Sequence, residues 1–314
     1  MGFQFIFTIL FIGHLLGDYY FQSQDMTNRK DEDRRVMLKH GRRYLYVTAI
    51  PFLLFFCASS FRWQLLILIV PFSHFGLDFL KAELKKKYER LKDFERALFV
   101  TDQILHILII GIIAYIYAIH VGVAYSGISI WFGGIYENLQ LAVPYQNLIY
   151  LTCLFLFLGK PSNIIIEKII KTNKTEDSKQ KNIMRLIGIF ERYLVVILVI
   201  LQQYTAIAFV LTAKSIVRFE EIKKSVGQSN REETKVDAEI AGTTVTAAIR
   251  TEPVAAPTEA VSEENDAEEV SFVEKFLIGT LSSLLFAIAG GILYVFITSY
   301  APSCFDKICS CQIG

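Results

Sequence analysis

Seven apolar runs of membrane-crossing length divide this 314-residue chain, and most of its basic residues lie in the gaps between them. A helix needs about 20 mostly apolar residues to cross hydrocarbon, where every backbone polar group must be satisfied within the segment itself. The runs cover 3–22, 42–61, 63–80, 98–119, 146–169, 186–217 and 272–299. The sixth is too long for one crossing, and Gln202, Gln203 and Tyr204 interrupt it, so it reads as a helical hairpin. The expected fold is therefore all-α: a polytopic helical membrane protein with about eight transmembrane helices. Composition agrees, with 53% hydrophobic residues, 25 Phe and a mean hydropathy of +0.40. The first run has no basic n-region and no small-residue cleavage site, and it carries His14 and Asp18, which predicts a retained span rather than a signal.

The net charge of +1 hides a strong segregation. Segments 23–43, 81–98 and 160–185 carry seven Lys or Arg each and 214–224 carries four, whereas 120–145 carries none. Basic loops accumulate on the cytoplasmic side, so these four segments are expected there and both termini outside. A hairpin in 186–217 returns Lys214, Arg218, Lys223 and Lys224 to the cytoplasm, in keeping with the other basic loops. Membrane lipids are the expected partners, and nothing in this charge pattern points to nucleic acid.

The organisation follows from the runs. Residues 1–119 read as an N-terminal four-helix membrane bundle, 120–145 as an extracytoplasmic connection and 146–224 as three further membrane helices. Residues 225–271 read as a disordered acidic linker in the cytoplasm, 272–299 as the last span and 300–314 as a tail. The linker is rich in Glu, Thr, Ala and Ser and has no aromatic residue, so it cannot offset the entropy of ordering. It is also where a protein partner would be recruited. Cys57 and Cys153 read as packing residues, and Cys304, Cys309 and Cys311 match no zinc module.

Charged groups within spans are costly and face a protein interior or a water-filled cavity. One pattern recurs: His14 and Asp18 in "GHLLGDYYFQ", His74 and Asp78 in "SHFGLDFLK", Asp102 and His106 in "TDQILHIL", with His40 at the mouth of the second span. Spacing of four puts each pair on one helix face. The charge-derived topology brings four of the five histidines to one membrane depth, near the inner surface. The seven residues His14, Asp18, His40, His74, Asp78, Asp102 and His106 form a candidate metal set. Nitrogen and oxygen donors without thiolate suit zinc, manganese or iron. An interhelical hydrogen-bond network and a proton or ion pathway are the other readings of the same residues. In a hydrolase, Asp18, Asp78 and Asp102 would be the catalytic carboxylates. Lys81, Arg192, Lys214 and Arg218 would hold an anionic headgroup or phosphate.

The segments "GHLLGDYYFQSQDM", "LKHGRRYLY", "SHFGLDFLK" and "TDQILHIL" resemble a family of bacterial membrane proteins catalogued only as a domain of unknown function, the DUF-3307 group. The resemblance continues in "RLIGIFERYLVVILVILQQYTAIAFVLTAKSIVRF" and "EKFLIGTLSSLL", with some fifty residues intervening. It covers roughly 1–119 and 186–300 and implies a bacterial cytoplasmic membrane location but no activity. Three functions stay open: a metal-dependent hydrolase acting on a lipid or lipid-linked substrate at the inner leaflet, a His/Asp relay transporter of protons or metal ions, and a membrane scaffold or regulator.

Overall fold

The structure is a computed structural model that describes residues 2–55, 65–88, 94–120, 134–135, 145–170, 178–216 and 260–299. Every regular element among them is helical. In chain order these are α1 (Gly2–Leu15), a π-helical turn (Leu16–Tyr20), α2 (Gln24–Arg29), α3 (Arg34–Phe55) and a 3₁₀ turn (Leu66–Leu68). Then come α4 (Ile69–Lys87), α5 (Glu95–His120), α6 (Tyr145–Leu158), α7 (Lys160–Ile170), α8 (Ser178–Ile200), α9 (Tyr204–Ile216) and α10 (Ala260–Ser299).

Four stretches are long and apolar enough to cross a membrane: Gly2–Tyr20, Glu95–His120, Gln146–Lys168 and Ile278–Ser299. The predicted spans 42–61 and 63–80 lie partly outside the described residues, as do most of the connection 120–145 and the tail cysteines. Of the expected linker, 225–259 is likewise outside, whereas α10 begins at Ala260 and runs unbroken into the last apolar run. Lack of apolar surface excludes burial for such a stretch; it does not exclude a helix that extends from an anchored neighbour.

Two compact units are distinguished, Met1–Val196 with Gly279–Gly314, and Ile197–Ile278. In the first, α1 packs on α3, α3 on α4, α4 on α5 and α5 back on α1, closing a four-helix bundle, with α6 against the outer side of α1. Each helix offers one buried row at the spacing of a helix face: Ile6, Leu10 and His14 on α1, and His40, Tyr44 and Thr48 on α3. On α4 the row is Val70, His74 and Asp78, and on α5 it is Asp102, His106, Ile110 and Ala114. Close backbone approach lets α1 and α3 pack. Gly13 on α1 and Gly17 on the π-helical turn allow it: an added Cβ would lie 3.0 Å from Thr48 Cα and 2.6 Å from the Tyr44 ring, respectively.

In the second unit the long apolar run breaks where the glutamines predicted it. Gln203 N–H bonds Leu198 O at 2.8 Å, Gln202 N–H bonds Val199 O at 3.0 Å, and Gln202 itself is left-handed at φ 57°. These paired bonds terminate α8 and satisfy carbonyls that would otherwise be orphaned.

Candidate functional site

At one end of the bundle the buried rows turn from apolar to ionisable. His14 ends α1, and the next turn widens: Phe21 N–H bonds Leu16 O at 2.8 Å, five residues back instead of four. Such π-turns insert a residue and re-aim the side chains on them. Asp18 sits on this turn and points its carboxylate at α3 and α4.

There four atoms meet. His74 Nε2 lies 3.2 Å from His40 Nε2 and 3.1 Å from Asp18 Oδ1, and His40 Nε2 is 3.4 Å from that same oxygen. Asp78 Oδ2 is 3.5 Å from His40 Nε2 and 3.7 Å from His74 Nε2. A tetrahedral site with bonds of about 2.0–2.1 Å has ligand–ligand edges of about 3.3–3.4 Å. These spacings bracket that edge length, and the residues fall into two overlapping groups of three that could hold an ion: His14, Asp18 and His74, and His40, His74 and Asp78. His40, His74 and Asp78 are buried and the Asp18 side chain is 8% exposed, and Asp18 Oδ1 has no aligned hydrogen-bond donor despite its two imidazole neighbours.

The flanking groups hold the cage in place. The Tyr44 ring stacks on His74 with centroids 3.6 Å apart and planes 3° from parallel. Tyr44 Oη is 3.1 Å from His14 Nδ1, and His14 Nε2 is 3.3 Å from Gln103 Oε1, which also accepts from Tyr19 Oη at 2.7 Å. Gln103 Nε2 donates to Asp102 Oδ2 at 3.4 Å. That orientation makes Oε1 an acceptor, puts the His14 proton on Nε2 and leaves Nδ1 to accept from Tyr44. Both nitrogens of His14 are thus engaged. His106 differs: Nδ1–H donates to the Asp102 carbonyl at 2.7 Å, so Nε2 carries a lone pair that is buried without a partner. Its ring centroid is 4.3 Å from that of His74.

Two lysines complete the electrostatics. Lys30 Nζ donates to Asp78 Oδ2 at 2.9 Å, and Lys81 Nζ donates to Asp78 Oδ1 at 3.2 Å and Asp102 Oδ2 at 2.9 Å. Lys81 lies just past the span 63–80. Its burial disfavours the charged form, but the Asp78 and Asp102 carboxylates outweigh that and raise its pKa above the ordinary lysine value.

All seven predicted His/Asp residues therefore converge, and they divide into roles. Asp18, His40, His74 and Asp78 form the cage, His14 and His106 flank it, and Asp102 anchors Lys81. Of the predicted anion-binding residues only Lys81 joins them. Arg192 is buried and donates to Leu158 O at 2.7 Å, Ser283 Oγ at 3.0 Å and Asn163 Oδ1, satisfying backbone at the α6–α7 break and tying α10 to it. Lys214 belongs to the second unit, and Arg218 lies outside the described residues. Sequence reasoning missed Lys30, Tyr44 and Gln103. Tyr44 is four residues from His40 and Gln103 adjoins Asp102, so helical spacing could have found both, whereas Lys30 looks like any other basic loop residue.

Fold and site define an all-helical protein with membrane-length helices and a buried His/Asp cage inside a four-helix bundle. Residues 6–130, which contain the whole His/Asp set, match the family described as "Protein of unknown function (DUF3307)". No curated protein and no solved structure matches the chain.

Proposed function

We propose that this bundle is a divalent-metal centre and that the protein is a metal-dependent hydrolase acting on a lipid or lipid-linked anionic substrate at the cytoplasmic leaflet. The observation that carries the reading is the cage: His40 Nε2, His74 Nε2, Asp18 Oδ1 and Asp78 Oδ2 lie at spacings of metal-ligand atoms, and the Tyr44 ring stacks on His74. Zinc, manganese or iron(II) suits these donors. Such an ion supplies a Lewis acid and lowers the pKa of water at neutral pH. His106 supports the hydrolytic reading, because its free Nε2 lone pair can take a proton from water while the Asp102 carbonyl holds the ring. Lys81, and Lys30 beside it, would neutralise an anionic group.

The membrane reading places eight spans across a bacterial cytoplasmic membrane, with the basic loops and acidic linker inside. The cage then lies just beneath the inner surface. Transport is the weaker alternative, since beyond the cage the described core continues through Ile110, Ile113 and Phe52 with no ionisable ladder. A scaffold role would leave the cage without a purpose.

Elemental mass spectrometry of the purified protein tests the centre. About one equivalent of metal is expected in wild type and none in a His40→Ala, His74→Ala variant. Metal-free wild type, or equal content in both, would sink the reading. Lipid mass spectrometry after incubation with metal-loaded protein tests the reaction: a cleavage product should form with wild type and be reduced at least a hundredfold in His106→Ala with metal retained.

A further inference from the structure

On the outer face of the α3–α4 pair, behind the helices that carry His40 and His74, runs a groove of about 540 Å³. Arg35, Leu38, Lys39, Arg42 and Leu45 form one wall, and Pro71, Phe72 and Phe75 form the other. Gly41 lines the groove too, where an added Cβ would sit 2.8 Å from the Phe75 ring. Arg35, Lys39 and Arg42 are spaced four and three apart, so they line one helix face. None of their side chains has an ion-pair partner among the described residues, and no carboxylate lines the groove. Leu38 and Phe72 are 60% and 68% exposed within it, far more open than packing residues.

We infer that this groove binds one anionic phospholipid. The α3 wall of the groove carries the three cations, and its α4 wall is wholly apolar. His40 opposite His74 fixes the antiparallel register of α3 and α4. Arg35 and Lys39 therefore lie toward the basic-loop end, while Leu45 and Phe72 lie further along the helices, toward the middle of the bundle. Arg35 and Lys39 at the basic-loop end, with Arg42 level with Phe72, match a phosphate headgroup, and the apolar α4 wall matches the upper part of an acyl chain. A soluble anion would use the cations and leave the apolar walls in water. A neutral lipid would leave the three exposed cations without a counter-charge. The site stands apart from the proposed metal centre, since neither needs the other to form.

Native mass spectrometry of the full chain, released from detergent with equal phosphatidylglycerol and phosphatidylcholine of matched chains, tests this. Wild type should retain one phosphatidylglycerol in preference to phosphatidylcholine. R35Q/K39Q/R42Q should weaken that retention tenfold or more, and Phe72→Glu should weaken it comparably with the cations intact. R29Q/R34Q/K86Q, which removes the same charge from exposed sites outside the groove, should leave it unchanged. Equal retention of the two lipids, or equal loss in both triple variants, would overturn the assignment. The metal content of all these variants should match wild type, so failure here is separable from failure of the centre.

Discussion

The core of the four-helix bundle has two ends built from the same helices. Toward one end Phe5, Ile6, Phe52, Ile67, Ile110 and Tyr117 pack as an apolar cluster, with Phe52 edge-on to Tyr117 at 5.1 Å. Toward the other, the continuation of the same rows gives His14, Asp18, His40, His74, Asp78 and Asp102. Both ends are equally shielded, so burial does not distinguish them; what differs is how each group is satisfied. Side chains at the apolar end need only volume and shape, and the helix crossing supplies both. At the polar end each group needs a specific partner at a specific distance, and the chain provides these by local irregularity: a widened turn at Asp18, two glycines that bring α3 close, and a lysine from outside the bundle. Burying an array of this kind is a cost that packing alone does not require, which is why it points to a ligand.

Substitutions at the two ends should separate stability from metal content. Asp78→Ala should have the largest effect, leaving the Lys30 and Lys81 ammonium groups confronting each other. A loss of about 3–5 kcal/mol is expected in detergent-denaturant titration, together with loss of bound metal. Restoration of stability, but not of metal, by adding Lys30→Met would confirm that the two losses have different origins. Ile110→Ala at the apolar end should cost about 2–5 kcal/mol through the cavity it opens, with metal content unchanged. A fall in metal content there would erase the distinction. Tyr44→Phe removes only the hydroxyl, so His14 Nδ1 loses its donor at a cost of about 1–3 kcal/mol. The stack on His74 stays, and metal should remain bound. Gln202→Gly, in the second unit, should change stability by less than about 0.5 kcal/mol, because relief of the left-handed strain is offset by added freedom in the unfolded chain. Its metal content serves as the baseline for the other three.

Sequence made a good part of this legible. Apolar length set the helical class, and spacing of four revealed His14 with Asp18, His74 with Asp78 and Asp102 with His106. Lys and Arg counts placed them at one depth before any coordinates. The break near Gln202 was legible too, since consecutive polar residues interrupt an otherwise apolar run. What remained hidden depends on partners distant in the chain. Nothing in "LLGDYYFQ" announces that a turn there closes five residues back rather than four. Arg192 looked available for an anion until the carbonyls of the α6–α7 break claimed it, and those carbonyls are freed by a kink at Gly159 that hydropathy does not register. Division of the seven residues into cage and flank likewise depends on angles between helices, which spacing along one helix cannot supply.

Lys30 gives the mouth of the cage a tethered counterion. It follows α2, a six-residue helix whose first turn is capped by Ser23, with Met26 N–H donating to the serine oxygen at 3.2 Å. The ammonium rests on Asp78 Oδ2, the same oxygen that joins His40 and His74 as a candidate ion ligand. Two positive charges competing for one oxygen repel, so occupancy of the cage and the docking of this short helix are thermodynamically linked, and each must weaken the other by the same factor. Proteolytic sensitivity around residues 24–33 should therefore report, from the protein's surface, on whether an ion occupies the His/Asp cluster at this end of the bundle.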